Sequence, residues 1–303
     1  MSPSSLSLRC FALLLGLLCA GCASMFTSPT APLAATHYAA GDGSHRTLLV
    51  FLPGIGDSGR DFDRQGFIEA VRRQGLPVDM ITADAHIGYY MNRSVVDRLK
   101  QDVIDPARRD GYQQIWLVGI SLGGLGAFLY SERHPGDIQG VVAIAPYLGD
   151  HELIREIRAA GGPTEWEPAY DDDDFRRMLW TWLGQYASDD DGMRPRLVLA
   201  YGSDDRYADA HDLLATLLPR SQVIRGPGNH DWTTWTRLWD QVLTTVEFDV
   251  AATARTNPGS RPPSPAVSIG YAWGKGPAHN QEQRPSPCPS APAQQTGCRA
   301  PSG

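Results

Sequence analysis

A serine, an acid and a histidine, far apart in the chain and each at the end of an apolar run, could together do nucleophilic chemistry. Ser121 lies in Gly119-Ile120-Ser121-Leu122-Gly123, between the apolar run 115–119 and a stretch with helical spacing at Leu122, Leu125, Phe128 and Leu129. A strand that bends sharply into a helix at such a point pushes the serine out of the turn, where its oxygen is free to attack. The flanking glycines let strand and helix pass close to each other. A serine hydroxyl is a weak nucleophile at neutral pH until a base takes its proton and a buried acid orients that base. Further along, the run 197–201 leads into Gly202-Ser203-Asp204-Asp205, and the run 222–224 leads into Gly226-Pro227-Gly228-Asn229-His230. The order is serine, acid, histidine, with Asp204 and Asp205 both available as the acid. Of eight histidines, His230 alone sits in a glycine-rich loop between a strand-like run and a helix-like one. His134 reads as a helix C-terminal cap, His211 as a helix-surface residue, and His86 as a pocket-lining candidate after the second strand.

Elements that would position these groups follow from the apolar pattern. Runs of strand length recur at 48–52, 78–82, 114–118, 140–145, 197–200 and 222–224. Their continuous rather than alternating apolarity means burial on both faces. Helix-spaced stretches lie between them, so the expected fold class is α/β, a mostly parallel central sheet with helices on both faces. Ser94-x-x-Asp97 opens one helix as a capping box, with Val96, Leu99 and Val103 on one face. The last helix carries Trp235, Leu238, Trp239, Val242, Leu243 and Val246, all read as core, which leaves Trp232 as the tryptophan available to substrate. Residues 150–192 break the alternation, with helical segments but no strand-length run, and are predicted to form a helical cap over the C-terminal edge of the sheet. Residues 151–192 hold eleven acidic side chains against four basic ones, so a polyanionic substrate would be repelled and a neutral or cationic one fits better. The aspartate runs 171–174 and 189–191 lack the alternating ligands and closing glutamate of a calcium loop and read as a solvated acidic surface.

Composition separates the two ends from this domain. Arg9, the short apolar block 11–18 and the small residues that follow read as an export signal, residues 1–21, too short to serve as a permanent membrane span. Residues 257–303 carry ten of the 23 prolines and few aliphatics. Such a composition buries too little apolar surface to offset the entropy of ordering it, so 251–303 is expected to be a disordered tail. No cysteine falls between Cys22 and Cys288. The domain, 34–250 after a linker at 22–33, therefore uses neither disulfides nor cysteine-bound metal, while Cys288 and Cys298 are available to each other. A net charge of −7 argues against a nucleic-acid partner.

Two resemblances sharpen this reading. Leu18-Cys19-Ala20-Gly21-Cys22 resembles the bacterial lipobox, departing from it at Cys19, where the pattern prefers leucine. The resemblance implies that Cys22 is lipidated and becomes the new N-terminus, anchoring the protein in a membrane; Ala23 after it implies an outer-membrane lipoprotein facing the periplasm. The alternative is cleavage near Ala23 and release of a soluble periplasmic protein. Over 34–250 the chain resembles an α/β-hydrolase, on the three motifs around Ser121, Gly202–Asp205 and His230 in that order. The family's G-x-x-D spacing selects Asp205 as the acid, with Asp204 as the alternative. The elbow itself supplies one oxyanion donor, the amide of Leu122. Leu52-Pro53-Gly54-Ile55-Gly56 resembles the His-Gly-x-Gly loop of esterases, with proline in place of histidine, which implies the amide of Ile55 as the second donor and Gly56 as its alternative. The implied activity is hydrolysis of a small-molecule carboxylic ester through Ser121, His230 and Asp205, with no metal or organic cofactor required. A thioesterase or amidase using the same groups, and an inactive envelope binding module, are the alternatives.

Overall fold

The computed structural model describes residues 28–40, 46–168, 174–188 and 192–248. Seven strands, β1 (Ala35–Tyr38), β2 (Thr47–Leu52), β3 (Val78–Ala83), β4 (Gln114–Ile120), β5 (Gly140–Ile144), β6 (Arg196–Gly202) and β7 (Val223–Gly226), form one sheet in the order β1-β3-β2-β4-β5-β6-β7. The six apolar runs are β2 to β7, and all pairings among these six are parallel. Every residue of β2 and β5 is buried, as continuous apolar runs require when helices cover both faces. The seventh strand, β1, pairs antiparallel to β3 at the sheet edge. Its sequence, Ala-Thr-His-Tyr, is largely exposed and shows no apolar run, so only its pairing makes it a strand.

The connections are helical: α1 (Gly59–Arg64), α2 (Phe67–Arg73), α3 (Ile87–Met91), α4 (Val95–Leu99), α5 (Asp105–Arg109), α6 (Leu122–Arg133), α7 (His151–Ala159), α8 (Phe175–Gly184), α9 (Ala208–Ala215) and α10 (Trp232–Thr245). Helices α2 and α10 pack on one sheet face around a core that includes Phe51, Phe62, Phe67, Val118, Val198 and Trp239. Trp239 stacks on Phe67 with ring centres 5.5 Å apart and donates its indole N–H to the Phe67 carbonyl.

Helix α4 begins at Ser94, and Val96, Leu99 and Val103 are buried as the spacing requires. The capping box is not formed: the Ser94 hydroxyl instead donates to the Asn92 side chain. Between α4 and α5 the helix widens into a π turn, Lys100–Ile104. Pro106 follows directly; its ring would collide with the carbonyl four residues back in a regular helix, and a widened turn relieves that collision.

The insertion between β5 and β6 contains α7 and α8. Their apolar residues Ile157, Leu179, Trp180 and Leu183 are fully buried, and Trp182 packs against Phe128 of α6. Arg177 holds Glu156 with two 2.6 Å hydrogen bonds, tying the two helices together. Asp174 caps α8 and pairs with Arg176, so this member of the acidic run is a structural cap. Asp171 to Asp173 and Asp189 to Asp191 lie outside the described residues, as do the leader with Cys22 and the C-terminal tail with Cys288 and Cys298. Among the described residues, no helix is long and apolar enough to cross a membrane.

Candidate active site

Ser121 caps α6 at the point where β4 ends, with φ 50° and ψ −111°. A positive φ is strained for serine and persists only where its surroundings enforce it. Here they are glycines that admit no side chain: a Cβ on Gly119 would fall on the Gly123 carbonyl, and one on Gly123 would fall on the Leu52 carbonyl. The elbow is further pinned by backbone bonds from Ser121 N to Ile144 O and from Tyr147 N to Ser121 O, at 3.0 and 2.9 Å.

His230 reaches this serine from the β7–α10 loop, and Asp205 reaches the histidine from the β6–α9 loop. His230 Nε2 lies 3.0 Å from Ser121 Oγ, and Nδ1 lies 2.8 Å from Asp205 Oδ2. A carboxylate only accepts, so Nδ1 carries the proton and Nε2 is left to accept from the serine hydroxyl. The imidazole is clamped edge-on by Tyr207 and Trp235, with ring centres 5.2 and 5.0 Å away. Asp205 is buried, and its second oxygen accepts from the Tyr207 amide at 2.8 Å. Burial pushes this carboxyl up, but the hydrogen bonds from His230 and the Tyr207 amide outweigh it and hold Asp205 below the usual carboxylate range. Asp204 points elsewhere: its Oδ2 accepts from the Gly228 amide at 3.1 Å, and its own amide donates back to the Gly228 carbonyl at 3.0 Å. It braces the histidine loop without touching the imidazole.

The loop after β2 forms a reverse turn, closed by Asp57 N donating to Gly54 O at 3.2 Å, with Gly56 at φ +83°. A positive φ at the third position marks a type II turn, for which glycine is the favoured residue. Ile55 occupies the first corner, and its amide takes no part in the closing bond. Leu122, the first residue of α6, contributes an N–H of the kind that has no partner within its own helix. Ile55 lines the cleft with Ser121, and Leu122 follows Ser121 directly in the chain.

A cleft of about 320 Å³ opens here, lined by Ser121 and His230, by Gly54, Ile55 and Asp57 of the turn, by Arg206, and by Asp231, Trp232 and Trp235 at the start of α10. Ile55 is half exposed and offers an apolar side chain at the mouth. Burial raises the Asp57 carboxyl above its usual range, partly offset by a 3.2 Å hydrogen bond from the Trp232 indole. None of the described residues of 150–192 lines the cleft.

Other expectations resolve differently. Trp235, read as pure core, also walls the cleft beside His230. His86 caps α3, its Nδ1 accepting from the Gly88 amide at 3.1 Å, and does not line the cleft. His134 is the C-terminal cap residue of α6. His211 is not on a helix surface: it is fully buried on α9, its Nε2 2.9 Å from the Pro146 carbonyl. Arg206 had no sequence signal; its guanidinium lies over the Tyr207 ring, 5.0 Å from its centre. Among the described residues no group of three or more His, Cys, Asp or Glu side chains is placed to hold a metal ion.

Comparison with known proteins agrees with this architecture. A family model described as serine aminopeptidase, S33, matches residues 43–166, the segment from before β2 through α7 that contains Ser121. A search of curated proteins finds no match. Among solved structures, Est1E from Butyrivibrio proteoclasticus superposes with a TM-score of 0.50 at 15% identity, covering 71% of this chain and 94% of its own. The S-formylglutathione hydrolase FrmB from Staphylococcus aureus gives 0.47 at 17% identity, over 66% of this chain and 80% of its own. The fold is that of the α/β-hydrolases.

Proposed function

We propose that this protein hydrolyses carboxylic esters through an acyl-enzyme formed on Ser121. The observation that carries the reading is the hydrogen-bonded chain Ser121–His230–Asp205, at 3.0 and 2.8 Å, opening onto a cleft with an apolar wall. His230 Nε2 takes the hydroxyl proton as Ser121 Oγ attacks the ester carbon, and Asp205 stabilises the imidazolium that forms. The tetrahedral oxyanion sits between the amides of Ile55 and Leu122, where each donor is worth about 3 to 4 kcal/mol. His230 then hands its proton to the leaving alkoxide, and water repeats the sequence to release the acid. Ile55, Trp232 and Trp235 form an apolar wall suited to a neutral acyl or aryl group. The same groups would serve a thioester or an amide, and comparing the three leaving groups on one acyl chain separates these substrates. We also propose that Cys22 carries lipid and holds the enzyme at the outer membrane, facing the periplasm.

Fluorophosphonate labelling of the purified protein tests the chemistry. Wild type is expected to be labelled and to hydrolyse nitrophenyl esters, whereas Ser121→Ala takes no label and loses at least about 10³-fold in kcat. Equal labelling of both proteins, or of neither, would favour an envelope binding module that keeps the fold without the reaction.

A further inference from the structure

Two loops built on distant strands must hold their relative position if an oxyanion donor and a general base are to act on one carbonyl. The donor turn follows β2 and the base follows β7, with β4, β5 and β6 between them in the sheet. Among the described residues a single side-chain bond joins the two segments directly: Trp232 Nε1 donates to Asp57 Oδ1 at 3.2 Å, between residues 175 positions apart. Asp57 is the residue whose amide closes the turn on Gly54. Trp232 is two residues after His230, and its ring is fixed edge-on by Phe62, Phe67 and Trp235 at 5.7, 5.6 and 5.2 Å. The turn also lies tight against the nucleophile. A Cβ on Gly54 would stand 3.1 Å from Asp57 Oδ2 and 3.6 Å from Ser121 Cβ, so that carboxylate oxygen is within about 7 Å of Ser121 Cβ. A shift of about 1 Å in a donor is enough to lose much of its contribution to the transition state.

Resting on the ester-hydrolase reading, we infer that Asp57 and Trp232 are positioning residues, a strap that holds the Ile55 amide in register with His230 and Ser121. Asp57 presents an acceptor to the indole, and the indole, locked in aromatic packing, sets where the turn stands. The strap acts on the oxyanion, which exists only in the transition state, so its loss lowers kcat and leaves ground-state binding nearly intact.

The test is a double-mutant cycle with three readouts. Trp232→Phe keeps the ring packing and removes only the indole donor, while Asp57→Ala removes the acceptor. Each is expected to lower kcat for a nitrophenyl ester about tenfold with KM within about twofold, and to weaken a boronic acid inhibitor, which forms a tetrahedral adduct on Ser121, by the same factor. The double variant should be no worse than either single one, because both remove one interaction. Asp57→Asn, which retains an acceptor oxygen, should recover most of the loss seen in Asp57→Ala. Amide hydrogen exchange at Ile55 and Gly56 should be faster in Trp232→Phe than in wild type. Losses that multiply in the double variant, an effect on KM alone, or faster exchange without a change in kcat would each overturn the strap. Absence of fluorophosphonate labelling in wild type would instead remove the ester-hydrolase reading, and the oxyanion assignment with it; unchanged exchange would then show that the strap is absent as well.

Discussion

Asp204 and Asp205 are chemically identical neighbours placed at different work. Asp205 buries its side chain and accepts from His230 and the Tyr207 amide, whereas Asp204 stays exposed and braces Gly228. Replacing Asp205 by Asn keeps the shape but lets an amide N–H face the imidazole, which favours the wrong tautomer. Asp205→Asn is expected to lower kcat about 10⁴-fold, and Asp204→Asn less than about tenfold. Steady-state kinetics on a nitrophenyl ester checks both, and the opposite ranking would transfer the acid to Asp204. The depressed Asp205 pKa also has a sign for stability. Its contribution is fully present above the unfolded value of 3.8 and is lost as pH falls through the lower folded value. Local sequence offered two equivalent acids after one strand; the direction of the β6–α9 loop chose between them.

At the scale of elements, α9 is held beneath the site by an imidazole in place of an apolar residue. His211 lies against Tyr201 of β6, with ring centres 5.1 Å apart, and its Nε2–H donates to the Pro146 carbonyl just after β5. Its Nδ1 has no partner among the described residues, so a second proton there would find no acceptor. Burial pushes this histidine from 6.5 down to about 4, only partly opposed by the Pro146 carbonyl and Asp205. Below the unfolded pKa of 6.5 the unfolded chain binds a proton that the folded chain refuses, so stability falls as pH drops toward 4. Between about pH 7.5 and 5 the loss from this residue is about 2 kcal/mol. Urea unfolding at the two pH values should show it in wild type, and a markedly smaller loss in His211→Gln. Equal pH dependence in both proteins would contradict the assignment. The sequence placed His211 on a helix surface because α9 lacks a strong apolar stripe; packing against β6 and the Pro146 segment turned that position inward.

For the whole molecule, the sheet order carries the three motifs to one rim although 84 residues separate Ser121 from Asp205 and 25 more lead to His230. Parallel strands all end at the same edge, and loops leaving β4, β6 and β7 there converge on one carbonyl-sized space. Lipidation at Cys22, as proposed, would attach the domain to a membrane, since each buried methylene contributes about 0.8 kcal/mol. Cells fed labelled palmitate are expected to incorporate it into wild type and not into Cys22→Ser; incorporation into both would rule out that cysteine. What the sequence determined by itself was local in origin. Continuous apolar runs give strands buried on both faces, and Gly119 gives a bend that no larger residue fits against the Gly123 carbonyl, because both effects act between near neighbours; Gly123 is held small instead by the distant Leu52 carbonyl. What only the tertiary structure decided was long-range. The exposed β1 is a strand because β3 pairs with it, Trp235 serves both core and cleft because His230 lies against it, and α8 packs on α6 with no residue of α7 or α8 lining the cleft. Trp232 meets Asp57 across 175 residues for the same reason: such contacts depend on where separate elements come to rest, and no spacing along the chain encodes that.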